Sequence, residues 1–190
     1  EIKSTIFPNN NRQSVKVLQT IPYQNKLLAL TENGIWSTIL GQNNNWSQEN
    51  TMGISGIKNM FVFKNQLYFN NQQKIYPYQS NIASYQINTG AIETIAVDED
   101  RILAVITYQK KGALIQFNSN QTNTVLIDSN ILIQPVGVLK EGNTIWVADF
   151  GKGLYEKNEQ SKWTALGGPL SNAFGSNAFS NRQILMSYGA

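Results

Sequence analysis

The chain has 190 residues, a formal net charge of +3, and neither cysteine nor histidine. A compact chain of this length buries roughly 70% of its unfolded surface, so it can support a full core, while the two missing residue types exclude disulfides, thiolate metal sites and the commonest general base. Its few basic residues form no stripe that would follow a phosphate backbone, and no run of 18 apolar residues occurs, so we expect neither a nucleic-acid partner nor direct membrane insertion.

Short apolar runs recur about 40 residues apart and indicate an internal repeat. They begin at Leu27, Leu67, Ile102, Ile145 and Ile184. Each run follows a polar turn that itself follows another strand-like run, and a second turn and a third strand follow the first four. Thr31–Gly34 leads in this way into Ile35, and Gln109–Gly112 leads into Ala113. Asn-Gly pairs and paired glycines are typical of hairpin turns, because the twist of the flanking strands favours a positive φ there.

A fourth, more polar strand closes each of the first four units, and the second strand is the most continuously apolar. A strand that is buried on both faces has this apolar character, so each unit predicts a four-stranded antiparallel meander of the kind that forms a propeller blade. We therefore predict an all-β fold, a β-propeller of four-stranded antiparallel blades, in a single domain of residues 1–190. The blades are expected at 13–50, 51–88, 89–128, 129–168, and 169–190 together with 1–8. A β-sandwich is the alternative, but sandwiches do not keep a four-strand period.

The two ends of the chain carry incomplete units. Ile2–Phe7 is an isolated strand before the first full unit, and Phe174–Ser187 supplies only two strands of a fifth. An N-terminal strand that completes the fifth blade would give a five-bladed ring without open edges. The alternative is an arc of a larger propeller. Because the chain starts at Glu1 without methionine or a signal-peptide pattern, we interpret it as a piece of a longer protein, whose remainder is then a partner.

Several aromatic residues suggest either packing or a binding platform. Trp36 and Trp46 in the first unit correspond to Tyr155 and Trp163 in the fourth. We interpret these four as residues that pack between blades. A platform for a carbohydrate or a peptide is the alternative.

Two acidic stretches resemble parts of known sites, and both are interpreted as turns. Asp98-Glu99-Asp100 could form a weak calcium site, but its spacing does not match an EF-hand loop. Asp149-Phe150-Gly151 has the letters of the kinase metal motif, but no glycine-rich loop or helical lobe accompanies it. Enzymes on propellers usually need histidine or paired carboxylates that face one cavity. We therefore expect no enzyme and no catalytic, cofactor-binding or metal-ligating residue, and the ligand-binding residues are not predicted.

Three segments carry a family resemblance. Residues 27–36, LLALTENGIW, and 144–154, TIWVADFGKGL, resemble the strand-turn-strand of bacterial two-component-regulator propeller repeats. Residues 168–174, GPLSNAF, resemble the glycine-proline turn of the PorZ-like proteins of the type IX secretion system.

The resemblance implies a non-catalytic binding or scaffold module of an exported protein at the cell surface or in the periplasm. Its partner would be a protein or a surface polysaccharide, and no cofactor is expected. The same repeats form periplasmic sensor regions of hybrid histidine kinases, so a propeller that senses a glycan or a small ligand is the alternative.

Overall fold

The computed structural model describes residues 15–42, 45–109, 111–117, 124–128, 131–150, 152–158, 162–166, 177–180 and 183–186. Within these ranges the secondary structure is entirely β: four antiparallel sheets of four strands and one of two strands. In each larger sheet the strands pair in chain order, which is a meander. The predicted all-β fold of four-stranded antiparallel units is confirmed. Nothing in the described part of the chain forms a helix long and apolar enough to cross a membrane.

The chain divides into two compact units, Glu1–Gln86 and Ile87–Ala190, which are described separately. The first unit holds the first and second sheets. The first sheet consists of β1 (Val17–Tyr23), β2 (Lys26–Thr31), β3 (Gly34–Ile39) and β4 (Ser47–Gln48). The second consists of β5 (Asn59–Phe63), β6 (Gln66–Asn70), β7 (Lys74–Pro77) and β8 (Tyr85–Gln86). Lys64 and Asn65 join β5 to β6 with φ of 48° and 61°, the positive values that a two-residue hairpin turn requires.

Alternating side chains of the two sheets build the core of the first unit. The buried members are Leu28, Leu30, Ile35, Met60, Leu67 and Phe69. The side-chain amide of Gln19 joins β1 to β5: its Nε2 donates to the Met60 carbonyl and its Oε1 accepts from the Met60 amide, each at 2.7 Å. This pair of hydrogen bonds satisfies both backbone groups of Met60, so a side chain substitutes for a strand at this point.

The second unit holds the remaining sheets. The third sheet consists of β9 (Ala91–Val97), β10 (Ile102–Tyr108), β11 (Lys111–Phe117) and β12 (Thr124–Asp128). The fourth consists of β13 (Pro135–Glu141), β14 (Thr144–Asp149), β15 (Gly153–Asn158) and β16 (Thr164–Ala165). The two-stranded sheet consists of β17 (Asn177–Ser180) and β18 (Gln183–Met186). The core between the third and fourth sheets contains Leu103, Val105, Leu114, Leu132, Val138, Ile145 and Val147.

A β-bulge recurs in the first strand of three sheets. The register shifts between Val17 and Gln19 in β1, between the partners of Val105 and Ile106 in β9, and between Pro135 and Gly137 in β13. The extra residues are therefore Leu18, Glu93 and Val136. Each bulge lies beside the end of the second strand. The bulge residues Leu18 and Val136 are exposed, and Glu93 is half-buried.

One sequence expectation about a turn is wrong. Gly112 was expected in the turn before the third strand of its unit, but it lies inside β11, paired with Thr107, and is buried. A Cβ at this position would lie 2.3 Å from Cδ of Pro135. The glycine is therefore needed for close approach to the start of β13, and not for a turn.

The completion of a fifth blade stays a prediction. The strand expected at Ile2–Phe7 lies outside the described residues, and the two-stranded sheet of β17 and β18 accounts for the other half of that expectation. The assignment of the whole chain to one domain also stays a prediction.

Candidate ligand-binding cleft

A cleft with a volume of about 400 Å³ opens in the first unit, where the β2–β3 turn meets the segment between β4 and β5. This volume lies within the range of small-molecule and side-chain pockets. Its lining residues are Leu18, Leu30, Thr31, Glu32, Asn33, Gly34, Gln48, Glu49, Thr51, Ile54, Ser55, Gly56 and Ile57.

The β2–β3 turn forms one wall of the cleft. The Thr31 hydroxyl stabilises the turn, because its Oγ1 donates to the Gly34 carbonyl at 2.8 Å and accepts from the Asn33 amide at 3.1 Å. Gly34 adopts a φ of 121°, which residues with a side chain rarely adopt. The side-chain amide of Gln48 packs where a Cβ of residue 34 would lie. Gln48 Nε2 also donates to the Asn33 carbonyl at 3.3 Å. Hydrogen bonds from Thr31 within the turn and from Gln48 on β4 therefore both stabilise the turn.

The segment 51–57 forms the opposite wall. The Ile54 amide donates to the Thr51 carbonyl at 3.0 Å, which closes a tight turn, and Gly53 and Gly56 have φ of 80° and 65°. Ile54 and Ile57 pack against the core of the first unit. Core packing thus anchors this irregular segment and keeps the cleft open beside Leu18.

The two carboxylates of the cleft lining differ in their surroundings. Glu32 is exposed, and its carboxylate makes no hydrogen bond or ion pair with any residue in the described ranges. The Glu49 side chain is only 12% exposed, and its carboxylate accepts hydrogen bonds from Lys26 at 2.8 Å and from the Ser37 and Tyr78 hydroxyls at 2.5 Å each. Because Tyr78 follows β7, Glu49 connects the first sheet to the second.

These hydrogen bonds lower the pKa of Glu49. Burial alone would raise the pKa of Glu49, but the hydrogen bonds from Lys26, Ser37 and Tyr78 outweigh it and hold the pKa below its ordinary value. The same contact with Glu49 raises the pKa of Lys26, and burial together with this hydrogen bond raises the pKa of Tyr78. Glu49 is therefore a charged structural connector at neutral pH.

We expect the Glu49→Gln substitution to lower the free energy of unfolding by about 1–2 kcal/mol at neutral pH, since hydrogen bonds to a charged group are lost while Lys26 is partly solvated. A lowered folded-state pKa gives stability that is present above the unfolded pKa and is lost as the pH falls through the folded value. The difference between the wild-type and variant chains in urea unfolding should therefore shrink from about pH 6 to about pH 3. Glu32→Gln is the control, with a small difference at every pH. A Glu49→Gln difference that stays constant over this range would contradict the prediction.

The residues singled out from the sequence lie elsewhere. Tyr155 and Trp163 pack against the core of the second unit, edge to face with ring centroids 6.4 Å apart. Lys157 Nζ lies 5.6 Å from the Trp163 ring centroid. Trp36 and Trp46 are half-buried on the first sheet. Tyr155 and Trp163 thus lie beside the core that the third and fourth sheets share. The packing of all four aromatic residues between blades stays a prediction.

The acidic turns have structural contacts in the second unit. The Asp98 carboxylate accepts from the amides of Asp100 and Arg101 at 3.0 and 2.7 Å, and its Oδ2 lies 3.3 Å from Lys140 Nζ. The buried Asp149 carboxylate accepts from the amides of Ile133 and Gln134 at 2.8 and 3.0 Å. Among the described residues, no three acidic side chains are grouped in a way that could hold a metal ion.

The Thr31–Gly34 turn can be predicted from the sequence, but the cleft beside it cannot. The glycines at 53 and 56 were an available signal, because two glycines within a connection of seven residues indicate an irregular loop. No local pattern indicated that Leu18 is a bulge residue.

No protein-family model matches the sequence, and no curated protein matches it. Solved structures are similar to it. The extracellular domain of a hybrid two-component system from B. thetaiotaomicron has a TM-score of 0.64 at 16% identity, over 89% of this chain and 23% of that one. YCF48 bound to D1 peptide has a TM-score of 0.65 at 14% identity, over 95% and 63%.

PorZ, a bacterial surface component of the type-IX secretion system of Porphyromonas gingivalis, has a TM-score of 0.58 at 17% identity, over 96% of this chain and 26% of that one. This chain thus spans about a quarter of the length of the PorZ and B. thetaiotaomicron structures. At these identities the likeness concerns the fold, and the fold is that of a β-propeller.

Proposed function

We propose that this chain is a non-catalytic propeller module that binds a partner polypeptide through the cleft of its first unit. The observation that carries the proposal is the cleft itself, which combines apolar walls with polar groups on strand ends and anchored turns. Rigid elements that present a few polar groups around an apolar hollow are typical of binding sites.

The surroundings of the carboxylates support a binding role and not catalysis. Glu49, Asp98 and Asp149 each accept at least two hydrogen bonds from neighbouring groups, and Glu93 accepts one from the Thr107 hydroxyl at 2.5 Å. Each of these acids connects strands or turns. Glu32 and Glu49 both line the cleft, but Glu49 accepts from Lys26, Ser37 and Tyr78, so the two do not form the pair of available carboxyl groups that a glycosidase requires.

The likeness to known structures supports an exported location and a polypeptide partner. One similar protein is a surface component of a secretion system, one is an extracellular domain, and one is bound to a peptide. We infer that this chain belongs to an exported protein at the cell surface or in the periplasm. The second candidate is the sensor region of a hybrid two-component system, which the likeness to the B. thetaiotaomicron domain favours.

Binding of the purified chain to a peptide array and to a glycan array tests this function, with Ser55→Trp as the blocking variant and Asn143→Trp as its matched control. Both residues are exposed, but only Ser55 lines the cleft. We expect saturable binding to peptides that Ser55→Trp removes and Asn143→Trp leaves intact. Peptide binding that survives Ser55→Trp would place the site elsewhere. Binding confined to glycans, or hydrolysis of array glycans, would overturn the proposal.

A further inference from the structure

We propose that the cleft of the first unit takes the side chain of a lysine or arginine from its polypeptide partner. This inference rests on the proposed function and specifies the chemistry that the cleft recognises. The groups that carry it are the Glu32 carboxylate, the apolar side chains Leu18, Ile54 and Ile57, and the amide groups of Asn33 and Gln48.

The apolar part of the cleft suits an aliphatic stem. The bulge in β1 leaves Leu18 48% exposed at the mouth, while Leu30 is 1% exposed and forms part of the floor. Ile54 and Ile57 are half-buried on the other side. Lysine and arginine bury their methylene groups along such surfaces and keep the charged end near water.

The charged part of the cleft suits a cation. Its lining contains two glutamates and no lysine or arginine. The Glu49 carboxylate is already engaged by Lys26, Ser37 and Tyr78, so Glu32 is the acid that can accept from a ligand. Gln48 uses its Nε2 to donate to the Asn33 carbonyl, which leaves its side-chain carbonyl oxygen as a further acceptor.

Other ligand chemistries fit this lining less well. An anionic group would meet Glu32 without a cation in the lining to offset it. Sugar rings commonly stack on aromatic faces, and no aromatic side chain lines the cleft. Among the described residues, Lys16 is exposed and its carbonyl oxygen accepts from the Glu32 amide at 3.4 Å, so the backbone of this lysine lies beside Glu32 and the test includes it as a competitor for that carboxylate.

The test uses four capped tripeptides with glycine on both sides of arginine, lysine, norleucine or glutamate, titrated into the whole chain. Methyl NMR signals of Leu18, Ile54 and Ile57 report occupancy of the cleft. We expect saturable shifts in the millimolar range with arginine and lysine, and about tenfold weaker or no binding with norleucine and glutamate. Glu32→Gln should weaken the arginine probe about three- to fivefold, because the pair would be partly solvated.

Control variants separate this inference from the proposed function. Glu99→Gln removes an exposed carboxylate in the second unit and should leave binding unchanged, and Lys16→Gln should leave it unchanged or tighten it. Equal binding of norleucine and arginine, or arginine binding that Glu32→Gln does not alter, would overturn the basic-side-chain inference while peptide binding blocked by Ser55→Trp still supports the proposed function. The absence of any methyl shift with all four probes would also overturn it, and only the array experiment then bears on the proposed function.

Discussion

Replacing Phe69 with alanine is expected to lower the free energy of unfolding by about 3–5 kcal/mol. Phe69 is 1% exposed and is one of the largest fully buried side chains in the described part of the chain. It packs in the core of the first unit and contacts Tyr78 edge to face, with ring centroids 5.7 Å apart. Truncation removes both the burial and the aromatic contact, and it leaves a cavity that paired strands on both sides of β6 cannot close.

Urea unfolding followed by circular dichroism measures this loss, and Ile82→Ala is the matched control. Ile82 lies in the same unit but is 77% exposed, so its truncation should change the free energy of unfolding by less than about 0.5 kcal/mol. Phe69→Leu, which fills most of the space, should fall between the two. If Phe69→Ala cost no more than Ile82→Ala, the core described for the first unit would be wrong.

The repeat could be predicted from the sequence because it depends on local patterns. The apolar runs that begin at Leu27, Leu67, Ile102 and Ile145 all fall in the second strand of a sheet, where their side chains are buried or half-buried. The alternation of apolar and polar residues in a strand and the residue types of a hairpin turn depend on a few neighbouring positions. Both can therefore be identified without knowledge of the tertiary structure. The outermost strands were less well predicted, since three of them pair over only two residues.

Gly112 shows where local reasoning fails. A glycine at the end of a polar stretch such as Gln109–Gly112 is typical of a hairpin turn, but the contact that requires the glycine is with Pro135, which lies 23 positions later in the chain. The cleft has the same difficulty, because it depends on a one-residue bulge at Leu18 and on a segment more than 30 residues further along. The role of Glu49 in connecting the first two sheets could likewise not be predicted, since its partner Tyr78 lies 29 residues away. Contacts between distant segments set these roles.

Asp98 occupies a comparable connecting position in the second unit. Its carboxylate stabilises the β9–β10 turn through the Asp100 and Arg101 amides and contacts Lys140 on β13, whose side chain is 1% exposed. Lys140 also donates to the Gly142 carbonyl. Burial alone would raise the pKa of Asp98, but the two amides, Lys140 and Arg101 outweigh it and hold this pKa below its ordinary value. One carboxylate thus serves the turn and the contact between sheets.

Asp98→Ala and Asp98→Asn separate these two roles. The alanine variant loses the acceptor of the two turn amides and removes a carboxylate that faces the buried Lys140 ammonium. It should therefore lower the free energy of unfolding by about 2–4 kcal/mol. Asparagine keeps an acceptor for the two amides and loses only the charge, so it should cost about half as much. Exposed Asp100, replaced by alanine, is the control and should cost less than about 0.5 kcal/mol.

The contact with Lys140 is isolated by a double-mutant cycle in which Lys140→Met replaces the ammonium by an apolar group of similar length. Since a buried charge without its counter-ion is the costly state, the Asp98→Asn and Lys140→Met pair should be more stable than the sum of the two single effects predicts, by about 1 kcal/mol or more. Additive effects, with Asp98→Asn as costly as Asp98→Ala, would mean that Asp98 acts through its charge on the turn alone. Because Lys140 and Asp98 lie on adjacent sheets, a positive coupling energy would establish that the third and fourth sheets are stabilised by a charged contact as well as by their shared core.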